Sequence, residues 1–302
     1  MRVSTNMIYD QGVNAMQRQS AAMLHTGLQI STGRKILTPA DDPVASARAL
    51  DLTQSRSVNA QFTVNQGYAE DALKLVEGQL VGAGEIIQYA RERVLDAGNP
   101  ALSDSDRSSI ATDLSAQFDA MLAIANTRDA NGDYLFAGYQ SNMTPFVDSA
   151  TAGVRGAAYA GDQGTRTMQV SSSRFMPVSF AGEQVFGSGD SSVFKVLGEF
   201  ISALETGTNV SAAVSSALGG LDQSLDSVLT VRAQIGSQLV EVEQLGFIGS
   251  DLDLQYATTL SGLQDLDYNE AVSRLKQQEI YLQAAQQSFL KITGLSLFNY
   301  LS

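Results

Sequence analysis

Apolar residues at both ends of the chain recur with the alternating four-three spacing of a heptad. Near the start this row is Tyr9, Val13, Met16, Ser20, Met23, Gly27 and Ile30. Near the end it is Tyr268, Ala271, Leu275, Gln278, Leu282, Ala285, Phe289 and Ile292. This is the spacing of the a and d positions of a coiled coil. An isolated helix of this length is marginal without tertiary support, so we expect the first and last helices to pair.

The last residues carry more apolar surface than one partner helix covers. Leu295, Leu297, Phe298 and Leu301 lie beyond the seam and spread over more than one helix face. Chain ends are usually polar and frayed unless something holds them. We expect neighbouring copies of the chain to cover this surface.

Two further helical segments lie inside the terminal ones. Asp42 followed by Pro43 predicts a helix start, and the helix is expected to reach about Gly98. Ser103 with Asp106 resembles a capping box and predicts a third helix, ending near Asn131 and Gly132. A row of apolar residues from Leu218 to Val242, interrupted at Arg232, predicts a further helix, and the last one is expected over about 251–292.

Residues 134–186 have a different texture, rich in Gly, Ser and aromatic side chains. Alternation in MQV at 168–170 and VSF at 178–180 predicts half-buried strands, and AGDQG at 160–164 predicts a hairpin turn. The chain is therefore expected to be mainly α. It should form a long antiparallel helical bundle or coiled coil from both termini, with a small β-rich domain inserted in the middle.

Composition and charge exclude several classes of function. The net charge of −13 argues against nucleic acid as a partner, because nucleic-acid binding depends on basic side chains. Cys is absent, which excludes disulfides and thiolate metal sites. The start of the sequence lacks the apolar region of a cleavable secretory signal. The last helical segment mixes basic with acidic residues, which favours packing against protein over membrane binding or insertion.

No group of residues predicts catalysis, a cofactor or a metal. Asp129, Asn131 and Asp133 match three positions of a calcium loop, but its required Gly and Glu are missing. His25 is the only histidine, so it cannot build a zinc site with other histidines or cysteines. GSGD at 187–190 is interpreted as a loop and not as a phosphate cradle. We therefore expect a protein that is not an enzyme.

The sequence resembles the flagellin superfamily, and within it the hook-associated junction proteins. The matching stretches are RVSTNMIYDQGVNAMQRQ, LQISTGRKILTPADDPVASARAL, NGDYLFAGYQ and LDYNEAVSRLKQQEIYLQAAQQSFLKITGLSLFNYL. The resemblance implies a structural subunit of the bacterial flagellum, in an adapter ring that joins the hook to the flagellin filament. The implied partners are other copies of the chain, an upstream hook-associated protein, flagellin and a flagellar export chaperone. It also implies an extracellular location at the hook-filament junction after export through the flagellar channel without a cleavable signal.

The resemblance divides the chain into three parts. Residues 1–40 and 262–302 should be terminal coiled-coil arms, residues 41–135 and 189–261 an inner helical-bundle domain, and residues 136–188 an outer β-rich domain. Because the seams of the two arms contain Ser20, Gly27, Gln278 and Ala285, we expect the arms to be disordered in the free monomer. The expected assembly seam uses Tyr9, Val13, Met16, Met23 and Ile30 in the first arm and Leu275, Leu282, Ala285, Phe289, Ile292, Leu295, Phe298 and Leu301 in the last.

A further segment, IIQYARERV, is similar to a flagellin stretch that packs between protofilaments. This similarity implies a role in packing between subunits for Arg91 and Glu92. Two alternatives to a junction adapter stay open. One is a flagellin-type filament subunit, and the other, less favoured, is a secreted adhesin that uses a coiled coil to oligomerise.

Overall fold

The structure is a computed structural model that describes residues 5–151 and 153–301, and its description of side chains leaves out Thr5, Asn6, Ile8, Thr151 and residues 292–301. The helices are α1 (Thr5–Thr32), α2 (Pro43–Ala97), α3 (Asp104–Ala125), α4 (Gly182–Phe186), α5 (Val193–Thr206), α6 (Val210–Gln264) and α7 (Tyr268–Leu301). The strands are β1 (Phe146–Thr151), β2 (Val154–Tyr159), β3 (Thr167–Gln169) and β4 (Phe175–Pro177). This mainly α fold with a small β insertion confirms the predicted fold class.

The chain forms two compact units. Residues 1–58 and 251–302 make the first, called the terminal unit here, and residues 59–250 make the second, called the central unit. The long helices α2 and α6 each contribute residues to both.

The central unit is built on a continuous apolar stripe of α2. Its members are less than 2% exposed and follow the predicted four-three spacing: Ala69, Leu73, Val76, Leu80, Ala83, Ile87, Ala90 and Val94. Phe118 of α3 and Phe194 of α5 meet edge to face in the same core, with their ring centroids 5.5 Å apart. In the predicted row on α6 the one interruption, Arg232, forms an ion pair with Glu77 of α2 at 2.9 Å.

The start of α3 confirms its predicted capping box, but its end differs from the prediction. Ser103 accepts from the backbone N–H of Asp106, and the Asp106 carboxylate accepts from the backbone of Ser103. The helix ends at Ala125 and not near Asn131. The Asn126 side chain hydrogen-bonds both the backbone N–H and the carbonyl of Phe146, at 3.0 and 2.8 Å, which ties the chain to the start of β1.

The β insertion contains two separate antiparallel hairpins, β1 with β2 and β3 with β4. MQV overlaps β3, but VSF is not a strand, because β4 ends at Pro177 and Ser179 accepts the Arg166 N–H. AGDQG is not a hairpin turn either, since it joins β2 to β3 of the other sheet. Asp162 holds this connection by accepting the N–H groups of Tyr139 and Gly164.

The last helix begins later than predicted. Residues 251–264 continue α6, and a short break precedes α7 at Tyr268. Asp267 stabilises the new start by accepting the N–H groups of Asn269 and Glu270. The pair Asp267 and Glu270 has the spacing of a capping box, which is the sequence signal that could have located this start.

Candidate functional site

The first and last helices pack against each other in the terminal unit. Tyr9 and Phe289 bring their ring centroids to 5.1 Å, the Gln19 side chain donates to the carbonyl of Gln278 at 3.2 Å, and an added Cβ at Gly33 would lie 2.8 Å from the Tyr268 hydroxyl. Residue numbers rise along α1 while those of the contacting residues fall along α7. The two helices are therefore antiparallel, and the expected pairing of the first and last helix is confirmed.

The heptad residues lie along this contact. In α1, Val13, Met16, Met23 and Ile30 are half-buried. In α7, Leu275, Leu282, Ala285 and Phe289 are half-buried, and Ala271 is fully buried. Tyr9 remains half-exposed although its ring contacts Phe289. The side chains of Ile292, Leu295, Phe298 and Leu301 lie outside the described residues.

Sequence reasoning missed a second stripe of small and polar residues on α1. Gly12, Gln19 and Thr26 recur every seven residues and are half-buried or buried beside the apolar row. Gly12 lies under Phe289, because an added Cβ would be 2.6 Å from the ring. None of the three is a large apolar residue, so only their seven-residue recurrence alongside the heptad could have revealed them.

Burial along the helix pair is uneven. The buried residues that the structure describes on α1 and α7 are Thr26, Gln29 and Ala271, and all three lie at the end near the connectors. Backbone hydrogen bonds reinforce this end, from the Lys35 N–H to the Gln264 carbonyl at 2.7 Å and from the Leu266 N–H to the Gly33 carbonyl at 3.0 Å. We call this region, residues 25–42 with 262–278, the corner of the terminal unit.

Large apolar side chains are exposed on both helices of the pair. Leu24 and Leu28 of α1 are 64% and 57% exposed, and Ile280 and Tyr281 of α7 are each 62% exposed. Soluble proteins expose single apolar residues routinely, but several on one element indicate an interaction surface. The antiparallel pair therefore leaves apolar surface on each helix that its partner does not cover.

The connector between α1 and α2 is held by two aspartates with different partners. Asp42 accepts the Ala45 N–H and caps α2, as predicted. Asp41 accepts the N–H groups of Leu37 and Thr38, which with His25 lower the pKa of its carboxyl below the usual range. His25 Nε2 lies 3.0 Å from Asp41 Oδ1, so the single histidine joins α1 to the connector.

The segment around Arg91 lies on the exposed side of α2 in the central unit. Arg91 Nε donates to Asp222 of α6 at 2.7 Å, and both Arg91 and Glu92 are exposed. Leu95, one helical turn further along, is half-exposed. The role of Arg91 and Glu92 in packing between subunits stays a prediction.

The calcium-loop resemblance at residues 129–133 has a structural explanation. Asp129 Oδ1 accepts the N–H groups of Asn131 and Asp133, and Asp133 accepts from Ser141 and Arg166. Within the described part of the chain, no three His, Asp or Glu side chains come together in a way that could hold a metal ion. Among the same residues, no helix has the length and hydropathy needed to cross a bilayer.

Comparison with known proteins defines first a class and then a family. Residues 3–141 match the family model of the bacterial flagellin N-terminal helical region, which places the chain among flagellin-like proteins. The chain is 37% identical to flagellar hook-associated protein 3 of Salmonella typhimurium and 35% identical to that of Escherichia coli, with 99% of each chain covered in both comparisons. The chain belongs to the flagellar hook-associated protein 3 family.

A solved structure supports the fold. The flagellar junction protein FlgL of Legionella pneumophila superposes with a TM-score of 0.59, at 19% identity, over 72% of this chain and 100% of that chain. At this level of identity the likeness concerns the fold alone.

Proposed function

We propose that this chain is a structural subunit, not an enzyme, of the junction between the flagellar hook and the flagellin filament. The observation that carries the proposal is the likeness to flagellar hook-associated protein 3 along 99% of both chains, terminal helices included. A match that covers the whole chain includes the arms, which are the parts expected to assemble.

The terminal unit supports an assembling role through its surface. Among the side chains that the structure describes on α1 and α7, Ala271 is the one fully buried apolar residue, while Leu24, Leu28, Ile280 and Tyr281 are exposed. Burial of apolar side chains is the main favourable contribution to protein association. Neighbouring copies in a ring would bury these side chains, with Tyr9 and Phe289 completing the seam within each copy.

The same family membership supports a proposal for the partners and the location. We propose that the ring contacts an upstream hook-associated protein on one side and flagellin on the other, and that an export chaperone binds the chain before assembly. The chain would then be extracellular, exported through the flagellar channel without a cleaved signal. The outward-facing role of residues 136–188 belongs to the same proposal.

Disorder of the arms in the free monomer also stays a prediction. The uneven burial along the α1–α7 pair indicates which end of the pair should open first. Thr26, Gln29 and Ala271 are buried at the corner, whereas the described parts of α1 and α7 beyond the corner contain only half-buried or exposed side chains. Local opening begins where few apolar contacts hold an element. We propose that the helix pair opens from the end that carries Tyr9 and Phe289, and that the corner opens last.

A flagellin-type filament subunit is the second candidate, because residues 3–141 match the flagellin N-terminal region. The number of copies per flagellum separates the two. A short ring contains few copies, whereas a filament contains thousands. Quantitative mass spectrometry of purified flagella, with flagellin and hook protein as internal standards, measures this number.

Deletion of residues 288–302 tests the proposal. The deletion removes Phe289 from the seam but no residue of the central unit, so we expect the cooperative unfolding of residues 59–250 to be preserved. Cells that carry only the truncated chain are expected to lack filaments, while the full-length chain restores them. Normal anchored filaments in the truncated strain would contradict an assembling role for the terminal helices.

A further inference from the structure

A polar cleft lies at the corner of the terminal unit. Its volume is about 610 Å³, and it is lined by α1, the α1–α2 connector, the end of α6 and the start of α7. His25 and Gln29 line it from α1, and Arg274 and Gln278 line it from α7. All of these residues belong to one compact unit.

The charge of the cleft is negative. Five carboxylates line it: Asp41, Asp42, Asp265, Asp267 and Glu270. The basic side chains on the same lining are Lys35 and Arg274, and Arg274 is already paired with Glu270. The terminal unit as a whole is nearly neutral, with 10 acidic and 9 basic residues, so the negative charge is a local property of this cleft.

Two amide oxygens in the cleft lining lack hydrogen-bond donors. Gln29 is only 6% exposed; its Nε2 donates to the Lys35 carbonyl at 2.6 Å, but its buried Oε1 accepts no hydrogen bond among the described residues. The Oε1 atom of Gln278 is buried in the same way and has no donor in the described part of the chain. Buried acceptors in native proteins are nearly always satisfied by protein or ordered water, so both oxygens can accept a hydrogen bond from a group that enters the cleft.

The arrangement of the acceptors in the cleft favours a guanidinium group over a metal ion as the occupant. No three of the described carboxylates or histidine converge closely enough to hold a metal ion. The adjacent Asp41 and Asp42 accept backbone N–H groups on opposite sides, Asp41 from Thr38 in the connector and Asp42 from Ala45 in the first turn of α2. A guanidinium group carries five N–H donors and a delocalised positive charge, so it can serve several separated acceptors at once.

The terminal unit also presents the complementary group. Arg18, Arg34 and Arg48 are exposed, and among the described residues none of them has a carboxylate within ion-pair distance. In the central unit, by contrast, each described lysine and arginine has a carboxylate partner except Arg128, which lies over the Tyr134 ring. The terminal unit therefore carries both a cluster of carboxylates and three arginines without an ion-pair partner, and these two sets of charges do not pair with each other within the described part of one chain.

We propose that the corner cleft is a binding site for an arginine side chain of a second copy of this chain. The proposal rests on the proposed function, because it needs neighbouring copies. None of the three arginines lines the cleft, so an arginine of one copy in the cleft of the next makes a head-to-tail contact, the type of interface that can close into rings. Binding supplies donors to Gln29 and Gln278 and positive charge to the carboxylates.

The single histidine provides a direct probe of the cleft. The Hε1 and Hδ2 protons of His25 give the histidine ring signals in the NMR spectrum of the full chain, and we expect Nα-acetyl-arginine amide to shift them saturably at constant pH. Nα-acetyl-citrulline amide, which is neutral and nearly isosteric, should not. Equal shifts with both compounds, or a shift that never saturates, would overturn the proposal.

Two pairs of variants locate the binding. Asp265→Asn and Gln278→Met each remove one acceptor from the cleft and should weaken arginine binding about threefold to fivefold. Glu279→Gln and Gln277→Met make the same chemical changes on the exposed surface of α7 and should leave binding unchanged. If the control variants weaken binding as much as the cleft variants do, the cleft is not the site.

Sedimentation velocity of the concentrated full chain tests the second copy as the source of the arginine. We expect self-association to weaken with added salt, with Asp265→Asn, and with one of Arg18→Gln, Arg34→Gln or Arg48→Gln. If all three arginine variants associate like the wild type, the occupant is not a second copy and the proposal fails. Strains whose cleft variants have lost arginine binding but still build normal filaments would overturn this inference while leaving the proposed function intact.

Discussion

Gly12 of α1 offers the sharpest test of the contact between the terminal helices. An added Cβ at Gly12 would lie 2.6 and 2.9 Å from two ring carbons of Phe289, whereas an added Cβ at Gly27 of the same helix meets nothing within 4 Å. Gly12→Ala and Gly27→Ala are therefore the same substitution on one helix, with and without a contact to α7. Gly27→Ala is the matched control.

The expected magnitudes follow from the two environments. Either substitution gains about 1 kcal/mol of helix propensity. Carbon atoms pack best about 3.5–4.0 Å apart, so the Phe289 ring must move by roughly 1 Å to admit the new methyl group at residue 12. The movement costs about 1–3 kcal/mol as overpacking and weakens the Tyr9–Phe289 contact. We expect Gly27→Ala to stabilise the helix pair by about 1 kcal/mol and Gly12→Ala to leave it unchanged or destabilise it by up to about 2 kcal/mol.

Amide hydrogen exchange measures the opening free energy of α1 in the full chain for each variant. The same two substitutions are then measured in a chain that carries Phe289→Ala. Without the Phe289 ring, Gly12→Ala should raise the opening free energy of α1 as much as Gly27→Ala does. If the two alanine variants stabilise α1 equally while Phe289 is present, the packing of Phe289 on Gly12 is refuted.

Three further predictions concern the central unit. Gly198→Ala would place a Cβ 1.7 Å from the Arg155 carbonyl and should cost about 3 kcal/mol or more, whereas Gly219→Ala, with open space around it, should gain about 1 kcal/mol, both measured by urea unfolding. Ser103→Ala removes one half of the capping box and should cost about 1 kcal/mol in the same assay. Backbone N–H groups of Tyr139 and Gly164 hold the pKa of the Asp162 carboxyl below its usual range. The contribution of the Asp162 carboxylate to stability is therefore present at neutral pH and is lost as the pH falls below about 4. Thermal unfolding measured against pH should show a smaller acid-dependent loss of stability for Asp162→Asn than for the wild type.

The long helices and their buried faces could be predicted from the sequence because burial requires a regular spacing. The row from Ala69 to Val94 and the pairing of α1 with α7 both follow from the four-three recurrence of apolar residues. Start signals were equally reliable where a side chain caps the backbone, as at Asp42 and Ser103. In these places one local rule determines the outcome.

The remaining features depend on contacts between distant residues. The end of α3 is set by the hydrogen bonds of Asn126 to Phe146, and the break before α7 coincides with the backbone contact between Gly33 and Leu266. The packing of Phe289 on Gly12 and the burial of the unpaired Gln29 Oε1 arise only once the helices are packed. Glycine and glutamine carry no apolar periodicity, so a search for hydrophobic patterns passes over them.

The position of the chain on an intact flagellum tests the central claim most directly. Immunogold electron microscopy with an antibody against the exposed surface of the folded chain gives that position. The account predicts a single narrow band of label at the boundary between hook and filament. Label along the length of the filament would favour a flagellin-type subunit, and absence of label from flagella that label normally for hook protein and flagellin would contradict a junction role.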